Sequence, residues 1–223
     1  MLRAMSADPA EPDWAEAAEG RVLDAALRLA PHTGWNSRLV LQAATAAGLS
    51  RGDAELLLPN GARDLAALAA RRHLERMHAR LEGVDPAALK IRERIRVATD
   101  AKVEATMEDG PALKAQAGFL LLPQHVPLAL RLFWRAADEI WRWAGDTATD
   151  ENHYSKRAIL AVILASTIAV RMASGAGPAR EHLAARIEDV MRYERWKAGV
   201  KPWGFGRQLT EALARLRYGA DRR

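Results

Sequence analysis

The chain contains no cysteine. That absence excludes disulfides, thiolate metal sites and a cysteine nucleophile. Its histidines, His32, His73, His78, His125, His153 and His182, include no i,i+4 pair and no His-Glu-x-x-His pattern, so a helical zinc site is not expected. Surface or hydrogen-bonded histidines are the reading that spacing favours, and no cofactor or metal is called for. Long apolar runs are also missing. The longest, Ala158 to Val170, covers about 13 residues and includes Ser166 and Thr167, against about 20 for a membrane-spanning helix. No spanning segment is therefore expected. Basic residues are scarce at the start of the chain, where Asp8, Glu11, Asp13, Glu16 and Glu19 face only Arg3. Such a start suits neither a secretory signal nor an Arg-rich transit peptide. A loose tail over residues 1–14 and a cytoplasmic, bacterial-type location are expected.

What is present favours helix. Ala, Leu and Arg dominate while β-branched residues are sparse. With 223 residues the chain fits one domain, or one with an appendage, and is long enough to bury a core. The formal charge of +5 is uneven. From Arg192 onward nine basic residues (Arg192, Arg195, Lys197, Lys201, Arg207, Arg215, Arg217, Arg222, Arg223) oppose Glu194, Glu211 and Asp221, a net of +6. The preceding body is then close to neutral, so any attraction to polyanions or anionic lipid is concentrated at the C-terminus.

The hydrophobic period is helical throughout, giving an all-α fold. Val22, Ala25, Ala26 and Leu29 mark a helix over 15–30, which Pro31-His-Thr-Gly34 is expected to break. Asn36 or Ser37 caps a second, stopped at Gly48. Further helices are expected from Ser50 to Leu58, Ala62 to about Glu82, Pro86 to Met107, Pro111 to Leu122, Leu128 to Ala144 and Asn152 to Ala173. Gly175-Ala-Gly-Pro178 then closes the run, before a helix from Ala179 to about Trp196 and a last segment from Trp203 to Tyr218. The domain reading is a helix-turn-helix-like unit over 15–65, a helical body over 66–198, and a basic amphipathic helix and tail over 199–223.

The spacing of the first helices resembles the N-terminal domain of TetR-type regulators, which would put the helix around Arg51–Leu58 in a DNA major groove. Its charges argue otherwise. Between Asn36 and Asn60, Arg38 and Arg51 are cancelled by Asp53 and Glu55, whereas DNA affinity rests largely on phosphate neutralisation. DNA is therefore not the expected partner, and the motif reads as degenerate.

The C-terminal segment groups Phe205, Leu209, Leu213 and Leu216 on one face behind Trp203, with Arg207, Arg215 and Arg217 elsewhere around the helix. That is the pattern of an interfacial helix on anionic lipid. The alternative is a terminal helix packed on the body or on a second subunit.

Leu120 to Ala158 is the densest region. It combines three tryptophans, Trp134, Trp141 and Trp143, with a Gly-Asp-Thr-Ala-Thr-Asp corner at 145–150. Leu120, Leu121, Leu130, Phe133, Trp134, Ile140, Trp141, Ile159 and Ile163 either form ordinary core or line a lipid pocket. No nucleophile–base or metal constellation emerges from Asp146, Asp150, His153 and Tyr154, so an enzyme is not expected.

Leu-Pro-Gln-His-Val-Pro (122–127), Asp138-Glu-Ile-Trp141, Ala-Gly-Asp-Thr-Ala-Thr-Asp (144–150) and Asn152-His-Tyr-Ser-Lys-Arg157 together resemble the COQ9 family of ubiquinone-biosynthesis accessory proteins. The likeness extends from about Val22 to Trp196. It implies a TetR-like, usually dimeric all-α fold that binds isoprenoid quinone or other lipid and uses a C-terminal amphipathic helix at the inner-membrane surface. It also implies assistance to the di-iron quinone hydroxylase of the COQ7 type. Asp138, Ile140, Trp141, Asp150, Asn152, His153 and Tyr154 would form the partner-binding surface. His153 departs from the family, which often carries an aromatic there. The competing expectation is a TetR-type regulator that senses a hydrophobic ligand.

Overall fold

The computed structural model describes residues 14–146 and 151–199, with side chains over 14–146 and 154–192. Among these residues the secondary structure is entirely helical. The helices are α1 (Trp14–Thr33), α2 (Ser37–Ala46), α3 (Arg51–Leu57), α4 (Ala62–Leu81), α5 (Ile91–Met107), α6 (Ala112–Leu120), α7 (Val126–Trp143), α8 (Glu151–Ser174) and α9 (Ala176–Gly199). The 1–13 part of the expected tail and the whole 200–223 segment lie outside the described residues; Trp14 is already helical.

Local chemistry explains most of the boundaries. Asn36 caps α2 by accepting from the Leu39 N–H at 3.1 Å. At the other end Gly48 takes φ +74° while the Leu49 N–H reaches the Ala44 carbonyl at 3.0 Å, closing the helix with a residue that needs no Cβ. Ser50 caps α3 reciprocally: its Oγ accepts from the Asp53 N–H at 3.1 Å, and Asp53 accepts from the Ser50 N–H at 3.1 Å.

Three boundaries depart from expectation. α1 continues through Pro31 and stops only at Gly34, because a proline near a helix end forfeits one hydrogen bond without halting the last turn. The expected helix from Pro86 divides into a 3₁₀ turn at Pro86–Ala88 and α5 from Ile91. Side chains there satisfy the backbone instead: Asp85 accepts from the Ala87 N–H at 2.9 Å, and the Arg94 guanidinium donates to the Leu89 carbonyl at 2.9 Å. Pro178 does not delay α9, which starts at Ala176, since an N–H is dispensable in the first turn.

The chain divides into two compact units, Met1–Leu183 and Ala184–Arg223. In the first, α1 packs on α2 and α6, α4 on α5, and α7 on α8, while α5 also meets α7 and α8. One core joins Val22, Leu39, Leu58, Leu65, Phe119 and Leu128. Leu39 and Leu65 are fully buried, each stabilising the fold by roughly 1.5–3 kcal/mol relative to exposure. Trp35 donates its indole N–H to the Ala62 carbonyl at 2.9 Å, fastening the α1–α2 loop to the start of α4. The Arg171 guanidinium binds Glu104 at 2.9 and 3.1 Å, tying α8 to α5. In the described part of the second unit, Asp189 pairs with Arg186 at 2.8 Å and with Arg192 at 3.6 Å.

α8 is apolar over a greater length than its longest unbroken apolar run. Tyr154–Ser174 has mean hydropathy 1.6 and is long and apolar enough, by length and composition, to cross a membrane. The unbroken run from Ala158 to Val170 stops at Arg157 and Arg171, whereas the mean over the longer helix tolerates those charges. Leu160, Leu164 and Thr167 are packed inside, whereas Val162 is 69% exposed.

Candidate functional site

A cavity of about 230 Å³ lies within the first unit, between α4, α5, α6, α7 and α8. Leu113, Leu120, Phe133, Leu164, Ile168 and Met172 supply most of its apolar wall. Leu121 also lines it and is 78% exposed, so the cavity meets solvent at the C-terminal end of α6.

Of the residues expected around a lipid, Leu120, Leu121 and Phe133 are brought together at this cavity. The others are not among its lining. Ile140 and Ile163 are buried, Leu130 is 66% exposed, and Ile159 lies at the surface. Trp134 faces Tyr154, with ring centroids 6.1 Å apart. Trp141 donates its indole N–H to the Lys156 carbonyl at 3.2 Å and carries the Lys156 ammonium 5.3 Å from its ring.

Sequence reasoning missed the polar wall. His73, Lys102, Thr106 and Gln116 also line the cavity, and all four are buried. The Lys102 ammonium donates to the Thr106 hydroxyl at 2.7 Å, and that hydroxyl donates to the Lys102 carbonyl at 2.8 Å. Burial pulls the Lys102 amine from its ordinary 10.5 to about 7, with Asp109 only partly opposing the shift. His73 Nε2 meets Asp109 at 2.6 Å, and the Arg76 guanidinium meets the other carboxylate oxygen at 2.8 Å. Burial lowers the His73 pKa and keeps the ring neutral, so Nε2 is the donor. Burial by itself would raise Asp109, but hydrogen bonds from His73 and Arg76 hold it below the ordinary carboxylate range. A usable signal was present: Ile95, Ala98, Thr99, Lys102 and Thr106 recur at helical spacing, with a lysine inside the apolar stripe.

The corner between α7 and α8 is built on ion pairs. Gly145 adopts φ +86°, and the Asp146 N–H returns to the Trp141 carbonyl at 3.0 Å, ending α7 in a Schellman turn. Arg157, 2% exposed, donates to Asp138 at 2.5 Å and to Asp146 at 3.2 Å. Asp138 also pairs with Arg142 at 2.9 Å, and Asp146 with Lys156 at 2.9 Å. Burial works against ionisation of Asp146, yet hydrogen bonds from Lys156 and Arg157 keep its pKa low. Of the expected partner surface, Tyr154 is 65% exposed and Ile140 is fully buried. Asp138 is committed to Arg157 and Arg142. Asp150 and the side chains of Asn152 and His153 lie outside the described residues, as does the whole expected membrane set, Trp203, Phe205, Arg207, Leu209, Leu213, Arg215, Leu216 and Arg217. Among the described residues no group of three metal-ligating side chains is assembled.

Fold and site thus define an all-α protein with an apolar cavity, polar on one wall, inside its helical body. Residues 126–194 match the COQ9 family model, covering α7, α8, most of α9 and the corner between the first two. The chain is 28% identical over 204 residues to the rat ubiquinone biosynthesis protein COQ9, mitochondrial, an alignment covering 85% of this chain and 64% of that protein. To the human protein of the same name it is 26% identical over 198 residues, covering 85% and 62%. The Xenopus tropicalis protein is 26% identical over 158 residues, covering 68% and 50%. Together these matches support the COQ9 family for this chain, which spans under two thirds of the length of these relatives.

Proposed function

We propose that this protein is a non-catalytic accessory protein of ubiquinone biosynthesis that binds an isoprenoid quinone intermediate, or a similar lipid, and presents it to the di-iron quinone hydroxylase. The carrying observation is the cavity, whose wall is dominated by Leu113, Leu120, Phe133, Leu164 and Met172. An apolar space with a few polar groups suits a molecule that water holds poorly. The matched relatives, named for ubiquinone biosynthesis, support the pathway.

In this reading the α7–α8 corner, with exposed Tyr154 beside Trp134, docks the hydroxylase. The exposed apolar side of α8 around Val162 joins two copies in a homodimer, and residues 203–217 rest on the membrane surface. The helix-turn-helix-like start does not serve DNA, and the one cation of α3, Arg51, is paired with Glu55 at 2.8 Å.

The test is mass spectrometry of lipids that co-purify with the full chain, compared with Ala129→Phe, which fills the cavity. Isoprenoid lipid in the parent and its depletion in a folded variant are expected. A parent free of lipid, or salt-dependent sequence-specific DNA binding in a gel shift, would overturn the reading.

A further inference from the structure

We propose that Lys102, assisted by Thr106 and Gln116, binds an acidic oxygen, of the phenol or carboxylic acid class, on a ring-sized head group of the ligand. The proposal rests on the preceding reading that the cavity holds a ligand. Lys102 is 5% exposed, so its amine has not snorkelled to water in the way a lysine stem over apolar surface allows. It lines a cavity that is apolar apart from His73, Thr106 and Gln116 beside it. An ammonium carries three donors, and among the described residues Thr106 is its hydrogen-bond partner. The nearby carboxylate is already taken, since Asp109 accepts from both His73 and Arg76. The amine therefore lies in an apolar space without its own counter-charge. An oxyanion placed there forms a charge-assisted hydrogen bond in a poorly screened site, where such bonds are strongest.

The other polar groups on this wall fit the same oxygen-bearing head. The Thr106 hydroxyl gives its proton to the Lys102 carbonyl and accepts from the Lys102 amine, which leaves it one lone pair to accept from a hydroxyl on the head. Gln116 directs its amide N–H to the Ala66 carbonyl at 3.4 Å, which leaves its own carbonyl oxygen to accept from a second hydroxyl on the head. Size sets the remaining limit. A space of about 230 Å³ holds a single six-membered ring and a few carbons, given that a dry cavity of about 150 Å³ takes up benzene. A longer tail leaves the cavity past Leu121, where it opens to solvent.

The experiment measures calorimetric binding of three probes to the full chain at pH 6.5, where the Lys102 amine holds its proton: 4-hexylbenzoic acid, 4-hexylphenol and hexylbenzene. The wild type is expected to bind the acid and the phenol at least about tenfold more tightly than hexylbenzene. Lys102→Met and Lys102→Gln are expected to retain hexylbenzene binding, to lose the preference for the acid, and to keep a cooperative thermal transition. An unchanged preference for the acid in both variants would overturn the role of Lys102 while leaving the cavity reading intact. Failure of all three probes to bind the wild type would overturn both.

Discussion

Replacing Lys102 by Met is expected to make the protein more stable. The substitution keeps the unbranched shape and nearly the volume of the side chain, and it removes the amine. In the folded chain that amine titrates at about 7, against an ordinary 10.5. At ~1.4 kcal/mol per pH unit, bringing it into the interior costs about 4 kcal/mol near neutral pH. Losing the hydrogen bond to Thr106 returns about 1 kcal/mol of that, so the net gain is about 2–3 kcal/mol.

The sign with pH follows from where each state holds its proton. Between about 7 and 10.5 the unfolded chain keeps the lysine proton and the folded chain does not. Wild-type stability therefore rises through this window by up to ~1.4 kcal/mol per pH unit, while at and below pH 7 the full cost is present. The advantage of Lys102→Met is largest at pH 6.5 and shrinks towards pH 9.5. Urea unfolding of both proteins at matched pH measures it, because titrating groups that do not feel the Lys102 charge cancel in the difference, and His73, which does feel it, contributes only near the low end of the range. A variant less stable than wild type at pH 6.5, or a difference that stays constant up to pH 9.5, would refute the reasoning.

Arg157→Met is expected to destabilise the chain by about 2–4 kcal/mol in urea unfolding, because Asp138 and Asp146 lose the buried cation between them; Asp138→Asn in the same background should recover part of the loss. Gly145→Ala should cost about 1–2 kcal/mol, since φ is +86° and the new Cβ would stand 3.3 Å from the Arg94 guanidinium. A melting temperature equal to wild type would contradict the Schellman ending of α7. Asp109→Asn should flatten the acid limb of the stability curve. The depressed pKa of Asp109 gives stability that is present above the ordinary carboxylate range and is lost as pH falls through the folded value.

Local chemistry made much of the fold legible. Asn36, Gly48 and Ser50 act within a few residues of themselves, and the helices they bound form where the periodicity puts them. Pro86 misled because Asp85 and Arg94 satisfy the backbone of the following turn in place of a helix. The corner was harder for a different reason. Asp138 looks like a surface acid on its own helix, and only the packing of α8 on α7 brings Arg157 to it from nineteen residues away. The cavity was half legible: Leu120, Leu121 and Phe133 were in view, whereas its polar wall comes from His73 on α4, Lys102 and Thr106 on α5 and Gln116 on α6, all before the tryptophan-rich stretch. Periodicity reports which face of a helix is buried and says nothing of what the opposing helix leaves unfilled.

Lys102 is where fold and function can be separated. If the amine served the architecture, its removal would leave Thr106 and the Asp109 cluster short of a partner and the chain would weaken. Asp109, however, is already satisfied by His73 and Arg76, and the Thr106 hydroxyl keeps the Lys102 backbone carbonyl whatever the side chain. The fold therefore has little need of the charge that it buries. Groups that a fold tolerates at a loss of stability are concentrated where binding or chemistry uses them. A Lys102→Met chain that is more stable and yet indifferent between 4-hexylbenzoic acid and hexylbenzene would assign the lysine to ligand recognition. A chain that is less stable and still prefers the acid would assign it to structure. The two measurements must move in opposite directions for the cavity to be a site with a polar reader.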